Sequence, residues 1–345
     1  MKKVPVGEAV GRVLGHDITR IVPGGFKGRA FKAGQTIRAE DIPLLLDLGK
    51  QSVYVYEPSP GELHEDEAAR RLGRCLAGDG LSLTEPNQGR VDVIAVRDGV
   101  LRIDVERVLD INRAGEVIVA TLHPNVPVKK GQIVAGTRAI PLVVPEDVIT
   151  RVESLSSTPV MMVSPFLPFR VGVVTTGWEI WKGRIKDGSA SVIQKKLTEY
   201  GSSILGQEIV PDDREVIRDA IIRFVQRGAG IVLVTGGMSV DPDDATPGAI
   251  KETGAEIVGY GVPVLPGSMF LVSYLGQVPV LGLPGCVLHA NTTVLDIFLP
   301  RILAGDRLTR YDLVSVGVGG LCRGCDVCAY PSCSFGKNWW TGDCR

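Results

Sequence analysis

From residue 171 onward, short continuous apolar runs alternate with segments whose apolar residues recur at helical spacing. The runs RVGVVTT, SSILGQEIV and IVLV are rich in β-branched residues, as expected for strands buried on both faces of a sheet. Between them, residues 190–200 and the segment after Asp212, which we expect to cap its helix, have one apolar face each. This alternation predicts an α/β domain over residues 170–308, with a parallel-rich sheet wrapped by helices.

The remainder of this predicted domain follows the same pattern. A helix is expected from Pro247 to Gly254, because proline suits the first turn and glycine the end of a helix. Strands are expected at EIVGY, MFLVSY and VPVLG. A final helix should run through HANTTVLDIFLPRIL, where Pro300 would kink or shorten it.

The N-terminal half has a different pattern. Residues 1–60 predict a helix between Asp41, as N-cap, and Gly49, as C-cap, followed by the strand SVYVYE. Residues 61–165 predict one surface helix and then a β-rich subdomain, in which alternating runs on both sides of Asp98-Gly99 indicate a hairpin. The proline-containing segment SPFLPF is typical of a stiff linker, and residues 309–345 form a cysteine-rich tail.

Three predicted strands or their neighbours end in small residues: Thr175-Thr176-Gly177, Thr235-Gly236-Gly237 and Gly282-Leu283-Pro284-Gly285. Ligands of open α/β sheets lie beyond the carboxyl ends of the strands. Each segment alone is typical of a tight turn, but together they predict a cleft for a phosphorylated ligand. The second segment continues into polar residues that could hold an anion together with a divalent cation, or could be solvated carboxylates of an ordinary βα loop: Ser239, Asp241, Asp243, Asp244 and Thr246.

Three motifs in this region resemble those of the molybdopterin-binding (MoeA/MogA-type) family. TGGMSVDPDDATP is similar to the family's TGG-x-S segment with its following acidic residue. VVTTGWEIWKGRIKDGS and GLPGCVLHA resemble its first and last motifs, and all three stand in the family's order. A weaker resemblance to the opening segment of the molybdotransferase branch lies in EAVGRVLGHDI and FKAGQTIRAEDIPLLLDLG.

The resemblance implies that molybdopterin, or its adenylylated form, lies across these loops. Asp244 and Glu179 would be catalytic, and Asp244 and Asp187 would hold Mg²⁺ while molybdate is inserted. The cofactor-binding positions that it implies are Thr175, Thr176, Gly177, Thr235, Gly236, Gly237, Ser239, Thr246, Ser268, Gly282, Pro284, Gly285 and Cys286.

The sequence also departs from the family pattern. Trp178 stands where the first motif has aspartate, and Gly188-Ser189-Ala190 replaces the expected Ser/Thr-Asn. Ser268 occupies the position of a lysine that would bind a phosphate or oxyanion, which weakens the expected hold on a polyanion. Cys286 replaces an asparagine and lies three residues before His289. These two residues could be soft ligands, with the thiol pKa lowered by a helix N-terminus, or a buried cysteine and a hydrogen-bonded histidine.

The tail spaces its cysteines as C-x2-C-x2-C-x4-C-x10-C. Such crowding in a reducing compartment favours metal ligation over disulfides. The spacing resembles that of ferredoxin-type iron–sulfur ligation, and four thiolates could equally hold structural Zn²⁺. The predicted ligands are Cys322, Cys325, Cys328 and Cys333, with Cys344 left over and Trp339 and Trp340 beside them. Cys75 and His123 lack such neighbours and favour structural roles.

Composition excludes several classes of partner. The 345 residues are 44% apolar and 22% charged, with a formal net charge of −1. This balance gives no general attraction to nucleic acid or to an anionic membrane, so any anion site must be local. The first residues lack the continuous apolar segment of a secretory signal, and later apolar runs are broken by proline and glycine, so a cytoplasmic location is expected.

The leading expectation is a role in molybdenum cofactor maturation, with molybdopterin binding and Mg²⁺-dependent molybdate insertion. The alternative is a non-catalytic chaperone that holds the cofactor for a client molybdenum enzyme and docks through its tail. A third possibility is a nucleotide pyrophosphatase, because a damage-inducible protein family shares the fold that the resemblance implies. Members of the resembled family are often dimers or trimers, which implies a homo-oligomer.

Overall fold

The structure, a computed structural model, describes residues 1–21, 27–57, 59–238 and 244–337. Ser239, Asp241, Asp243 and the tail residues from position 338 onward, which include Trp339, Trp340 and Cys344, therefore lie outside the described residues. The chain divides into two compact units. The N-terminal unit comprises Met1–Arg97, Ile103–Leu122 and Lys130–Val163, and the C-terminal unit comprises Asp98–Arg102, His123–Lys129 and Ser164–Arg345.

The strands of the described chain are, in order, β1 (Lys2–Pro5), β2 (Ile18–Ile21), β3 (Lys27–Phe31), β4 (Ser52–Val55), β5 (Glu62–His64), β6 (Leu81–Leu83), β7 (Arg90–Ala95), β8 (Gly99–Ile103), β9 (Val117–Thr121), β10 (Pro127–Val128), β11 (Ile133–Ala139), β12 (Val143–Pro145), β13 (Met161–Pro165), β14 (Arg170–Thr176), β15 (Ser203–Val210), β16 (Ile231–Thr235), β17 (Glu256–Tyr260), β18 (Leu271–Leu275) and β19 (Val278–Leu283). The α-helices are α1 (Ile42–Asp47), α2 (Glu65–Leu76), α3 (Val105–Arg113), α4 (Glu146–Leu155), α5 (Trp178–Trp181), α6 (Ser189–Thr198), α7 (Arg214–Gln226), α8 (Thr246–Glu252), α9 (Val294–Leu303) and α10 (Arg310–Ser315).

The N-terminal unit contains a four-stranded sheet in the order β6-β7-β11-β9 and three small two-stranded sheets, β1-β4, β2-β3 and β5-β12. The predicted helix and strand after residue 41 are present as α1 and β4. The Asp41 side chain, however, accepts a hydrogen bond from the backbone N–H of Arg38 and makes no capping bond to α1. Residues 4–55 bury a separate apolar cluster that includes Leu14, Phe31 and Leu45.

The predicted hairpin at Asp98-Gly99 is wrong. Strand β7 pairs with β6 and β11, whereas β8 belongs to another sheet and pairs with β10. The alternation that suggested the hairpin reports only that one face of β7 is buried, at Val91, Val93 and Ala95. An alternating run reveals a buried face and leaves the pairing partner open.

The region predicted to be β-rich contains two helices, α3 and α4, that the sequence analysis did not predict. The segment VERVLDINR forms α3 because the Asp104 side chain caps it, accepting a hydrogen bond from the Arg107 backbone N–H at 3.1 Å. The helix α4 follows Pro145 and buries Val148, Ile149 and Val152. The apolar residues of both segments also fit a helical period, which a short run does not distinguish from a strand.

The C-terminal unit confirms the predicted α/β class. Its six-stranded sheet has the order β15-β14-β16-β19-β18-β17, in which the first four strands are parallel and the last two are antiparallel additions. Helices α6 and α9 pack on one face, in a cluster that contains Phe298. Helices α7 and α8 pack on the other face, around Phe224. Burial on both faces explains the continuous apolar runs of the central strands.

Local details of this unit differ from the sequence expectations. Asp213, rather than Asp212, caps α7 by accepting hydrogen bonds from the N–H groups of Glu215 and Val216. The last predicted helix begins only at Val294, behind a capping box of Thr293 and Asp296, and Pro300 lies inside it. None of the helices within the described ranges has the length and apolar character needed to cross a membrane.

The tail packs on the α/β core although residues 316–337 contain no regular helix or strand. Its backbone is bonded to the loop before β18, where Leu265 donates to Gly320 and Cys322 donates to Leu265, both at 2.8 Å. Phe335 is 4% exposed, and the Tyr330 hydroxyl donates to the backbone oxygen of Asp296 in α9 at 2.8 Å. The tail is therefore part of the C-terminal unit.

Candidate functional site

The carboxyl ends of three neighbouring strands lie side by side in the C-terminal unit. Thr175 of β14 is in register with Thr235 of β16, and Thr235 is in register with Leu283 of β19. The three small-residue segments therefore start at one edge of the sheet. The sequence expectation that they converge in space is confirmed, whereas the functional role of each residue stays a prediction.

A cleft of about 480 Å³ lies at this edge. Among the predicted residues it is lined by Gly236, Gly237, Asp244, Ser268, Pro284, Gly285 and Cys286. Asp244 is the only charged side chain among the described lining residues, and none of these is lysine or arginine. The other described residues predicted to bind the cofactor are not part of this lining: Thr175, Thr176, Gly177, Thr235, Thr246 and Gly282.

The first two loops touch through backbone atoms. Gly236 has a φ of +92°, and a Cβ atom at this position would lie 2.4 Å from the carbonyl oxygen of Thr176. Thr246, which is fully buried at the start of α8, donates its hydroxyl to the carbonyl oxygen of Gly236 at 2.8 Å. Gly237, with a φ of +54°, continues the turn. Glycine is required here by both its conformational freedom and the close approach of the loops.

Two threonine hydroxyls at the strand ends lack partners within the described part of the chain. Thr176 and Thr235 are 2% and 3% exposed, and their Oγ1 atoms find no hydrogen-bond partner among the described residues. A buried polar group without a partner costs on the order of 1–3 kcal/mol. Unsatisfied hydroxyls at strand ends that border a cleft are suited to a ligand with acceptor atoms.

Asp187 has a structural role at the start of α6. Its carboxylate accepts hydrogen bonds from the Ser189 backbone N–H at 2.9 Å and from the Gln207 side chain at 2.6 Å. Gln207 and Ser189 also bond the Thr175 hydroxyl, at 2.8 and 3.0 Å. Partial burial of Asp187 opposes its ionisation, but these hydrogen bonds outweigh burial and hold its pKa below the ordinary value. Both carboxylate oxygens are thus engaged, so metal ligation by Asp187 stays a prediction.

Glu179 is exposed on the single turn of α5 and is not among the described residues that line the cleft. Its carboxylate lies over Gly177, 3.3 Å from the place a Cβ atom would take. The neighbouring Trp178 donates its backbone N–H to the Asp212 carboxylate at 2.9 Å and is 46% exposed. The catalytic role of Glu179 stays a prediction.

Sequence reasoning missed Tyr260 and Met238, which shape the wall beside Asp244. The Tyr260 hydroxyl donates to the Met238 backbone oxygen at 2.9 Å. Burial and the nearby Asp244 charge raise the Tyr260 pKa, which places the two side chains in electrostatic contact. Gly282 leaves room for Met238, whose Cε would lie 2.6 Å from an added Cβ atom. No local pattern links Tyr260 to the motifs, since it lies on β17 at the far edge of the sheet.

The predicted pair Cys286 and His289 lines two different cavities. Cys286 lines the cleft from the 3₁₀ turn Gly285–Leu288, whereas His289 lines a second cavity. Of the two alternatives for Cys286, the lowered thiol pKa is contradicted, because burial raises the pKa of this thiol, as expected for a buried cysteine. A turn of four residues lacks the aligned dipoles of an α-helix that would stabilise a thiolate.

The second cavity has a volume of about 340 Å³. All four predicted tail ligands line it: Cys322, Cys325, Cys328 and Cys333. Over the described part of the chain, no group of three or more His, Cys, Asp or Glu side chains is arranged to hold a metal ion. The predicted Mg²⁺ and tail ligands are therefore not gathered around one point in this structure, and both sets stay predictions.

Comparison with known proteins agrees with the location of the cleft. Residues 172–304 match the model of a family described as a probable molybdopterin binding domain, and residues 3–57 match a domain of unknown function (DUF8806). The first match contains β14 to α9, and hence all three strand ends.

Two curated relatives are molybdopterin molybdenumtransferases. The protein from Haemophilus influenzae is 23% identical over 294 residues, which are 79% of this chain and 70% of that protein. The protein from Synechococcus elongatus is 26% identical over 144 residues, which are 39% of this chain and 36% of that protein. The chain thus spans little more than a third of the length of the second relative.

A solved structure, the molybdopterin biosynthesis enzyme MoaB from Thermus thermophilus, is 23% identical with a TM-score of 0.34, covering 40% of this chain and 98% of that one. This score is too low to support the fold, which the strand order establishes directly. The match of residues 172–304 to a family model carries more weight, and it includes the residues of the cleft. The segment from β14 to α9 is therefore the part of this chain that is similar to a probable molybdopterin binding domain.

Proposed function

We propose that the cleft binds molybdopterin, or its adenylylated form, and that the protein assists Mg²⁺-dependent insertion of molybdate. The observation that carries the proposal is a cleft that contains Asp244 and is lined by the loops after β16 and β19. It lies at the sheet edge where the ends of β14, β16 and β19 are in register. This is the edge at which open α/β sheets bind ligands.

Neutral donors would hold the phosphate-bearing end of the ligand. The glycine turns at Gly236–Gly237 and Gly285 line the cleft, and backbone N–H groups of such turns are suited to anions. The unsatisfied hydroxyls of Thr176 and Thr235 are further donors behind the same turns. The described residues that line the cleft include no lysine or arginine. The negative charge of the ligand must therefore be balanced in another way.

A divalent cation at Asp244 supplies that balance. Mg²⁺ is commonly held by one or two carboxylates together with phosphate oxygens of the substrate. Asp244 fits this role because it is the only charged side chain among the described residues that line the cleft. When bound, the cation would stabilise charge that develops as the phosphoryl bond of the adenylylated ligand breaks.

A binding chaperone is the second candidate function. Ser268 lines the cleft at the position where the resemblance implies a lysine, and Cys286 lines it at the position of an asparagine. Without the positively charged lysine side chain, the site stabilises developing negative charge less well, whereas binding of the pterin is affected less. In this case the protein would hold the cofactor for a client molybdenum enzyme.

The experiment incubates the purified full chain with adenylylated molybdopterin, molybdate and Mg²⁺, and measures both bound ligand and released AMP. We expect Asp244→Asn to reduce AMP release by about a hundredfold, the scale expected when one electrostatic contact to the transition state is lost. Asp219→Asn, at an exposed carboxylate of α7 in the same unit, is the matched control and should leave both readouts unchanged.

Thr176→Val tests the binding step separately. It replaces an unsatisfied hydroxyl by a methyl group of similar volume, so we expect ligand affinity to fall about tenfold while the free protein is stabilised by about 1 kcal/mol. Tight binding without AMP release would support the chaperone and reject catalysis. Absence of binding by the wild-type chain would reject both functions.

A further inference from the structure

The chain that follows β14 is a second chemically distinctive place at the carboxyl edge of the sheet. It consists of α5 and the residues after it, 178–186, and we call it the tryptophan segment. We propose that this segment binds the adenine ring and the adjoining phosphate of adenylylated molybdopterin. The inference rests on the function proposed for the cleft, and it assigns one half of that ligand to residues outside the cleft lining.

Two tryptophans of this segment expose ring surface. Trp178 and Trp181 are 46% and 49% exposed, and their rings meet edge to face with centroids 5.4 Å apart. The Lys182 ammonium lies over the Trp178 ring, 5.1 Å from its centroid. Cations are attracted to the face of an indole ring, and planar bases stack on exposed aromatic side chains. About half of each indole is available for such stacking.

The same segment carries three cations. Lys182, Arg184 and Lys186 are exposed, and within the described ranges their side chains make no ion pair and no hydrogen bond with another residue. Of the acids nearest to them in the sequence, Asp187 is engaged by its own hydrogen bonds, which leaves Glu179. Lysine and arginine bind phosphate through charge-assisted hydrogen bonds. These cations therefore supply positive charge that the described lining of the cleft lacks.

The position of the segment fits a ligand that spans the edge of the sheet. The backbone N–H of Trp178 donates to the Asp212 carboxylate in the loop after β15, whereas the cleft is lined by the loops after β16 and β19. In the sheet β14 lies between β15 and β16. Neighbouring strands are about 4.8 Å apart, so the ends of β19 and β15 are about 14 Å from each other. Adenylylated molybdopterin has two ring systems joined by a diphosphate, so one ring can lie at each end of this span.

The openness of the segment favours the adenine over the pterin. The adenylyl half of the ligand is released as AMP in the proposed function, and a half-exposed surface lets it depart while the other half stays in the cleft. Trp178 also stands where the first motif of the resembled family has aspartate. An indole at this position removes a negative charge from beside the phosphates and adds a stacking surface.

The test measures binding of AMP and of adenylylated molybdopterin to the full chain with Mg²⁺, by calorimetric titration. Trp178→Leu and Trp181→Leu should each lower both affinities about tenfold, the scale of one lost stacking contact. Trp178→Phe keeps an aromatic ring and should stay within about threefold of the wild-type chain. Tyr311→Leu, at an exposed aromatic residue of α10, is the matched control and should change neither affinity.

Arg184→Gln separates charge from stacking. It should weaken binding of AMP about threefold and leave binding of adenosine, which has no phosphate, unchanged. Molybdopterin without the adenylyl group should bind all variants as tightly as the wild-type chain, because its pterin lies in the cleft.

Two results would overturn the inference. One is an affinity for AMP that is undetectable in the wild-type chain or unchanged in both leucine variants. The other is an equal loss of affinity for molybdopterin without the adenylyl group, which would place the pterin on the tryptophans. Failure of the cleft function appears differently, because the wild-type chain would then bind neither form of molybdopterin.

Discussion

The cleft and the cysteine-lined cavity share Pro266 as a wall residue but are built in opposite ways. The cleft is formed by strand ends whose backbone is bonded on both sides within a central sheet. The cavity is formed by residues 320–337, which contain no regular element and are bonded to the core at a few points. Regular structure therefore shapes the cleft, whereas the cavity is bordered by irregular chain.

A site built on regular structure and a site built on irregular chain hold a ligand in different ways. Sheet-bound loops are preorganised, so a ligand meets donors that are already in place. A loop that is completed by metal gains its final order only when the metal binds. The same unit therefore offers one site that should persist in the free protein and one that should depend on its ligand.

The largest effect is expected on the tail if its cysteines ligate metal, as their spacing predicts, and the metal is removed. Trypsin should cleave after the exposed Arg323 at least about tenfold faster in chelated protein than in loaded protein, because the local opening of this segment then costs less free energy. The masses of the fragments identify the cleavage site. Binding at the cleft should survive chelation, and equal cleavage rates with and without metal would remove the contrast between the two sites.

The next effect concerns the cleft itself. Gly236→Ala places a methyl group 2.4 Å from the Thr176 carbonyl oxygen at a φ of +92°, so we expect a loss of about 2–4 kcal/mol in the free energy of unfolding and loss of ligand binding. Gly254→Ala is the matched control, with a φ of +82° and no atom within 4 Å of the added group. It should cost about 1 kcal/mol and leave binding intact. Denaturant unfolding measures the free energy of unfolding of both variants. Equal losses in the two variants would show that the loops are not in close contact.

The smallest effect is the pH-dependent contribution of Asp187. Because its pKa is lower in the folded chain than its ordinary value of 3.8, its ionised form adds stability at higher pH that is lost as the pH falls through the folded-state pKa. Asp187→Ala should therefore cost about 1–2 kcal/mol at pH 7 and progressively less below pH 3.8. Asp219→Ala, at a half-exposed ion pair, should cost about 0.5 kcal/mol or less at every pH. A cost of Asp187→Ala that does not change with pH would contradict this role.

Local features of the sequence determined the elements of the C-terminal unit. The apolar runs predicted β14, β15 and β16, the glycine pair predicted the turn at Gly236–Gly237, and the crowded cysteines predicted a common site. Each of these depends on neighbouring residues, because periodicity and turn chemistry act over a few positions. The convergence of the three strand ends followed from the parallel order that the alternation implied.

Only the tertiary structure decided what each side chain faces. It placed Cys286 and His289 in the linings of two different cavities and engaged both oxygens of Asp187. It also brought Tyr260 near Asp244 and Thr292 to Cys328, and it divided β7 and β8 between two sheets. These contacts join residues that lie apart in the chain or differ only in the direction of a side chain. A local pattern reports whether a position is buried, and the packing of distant segments determines against what it is buried.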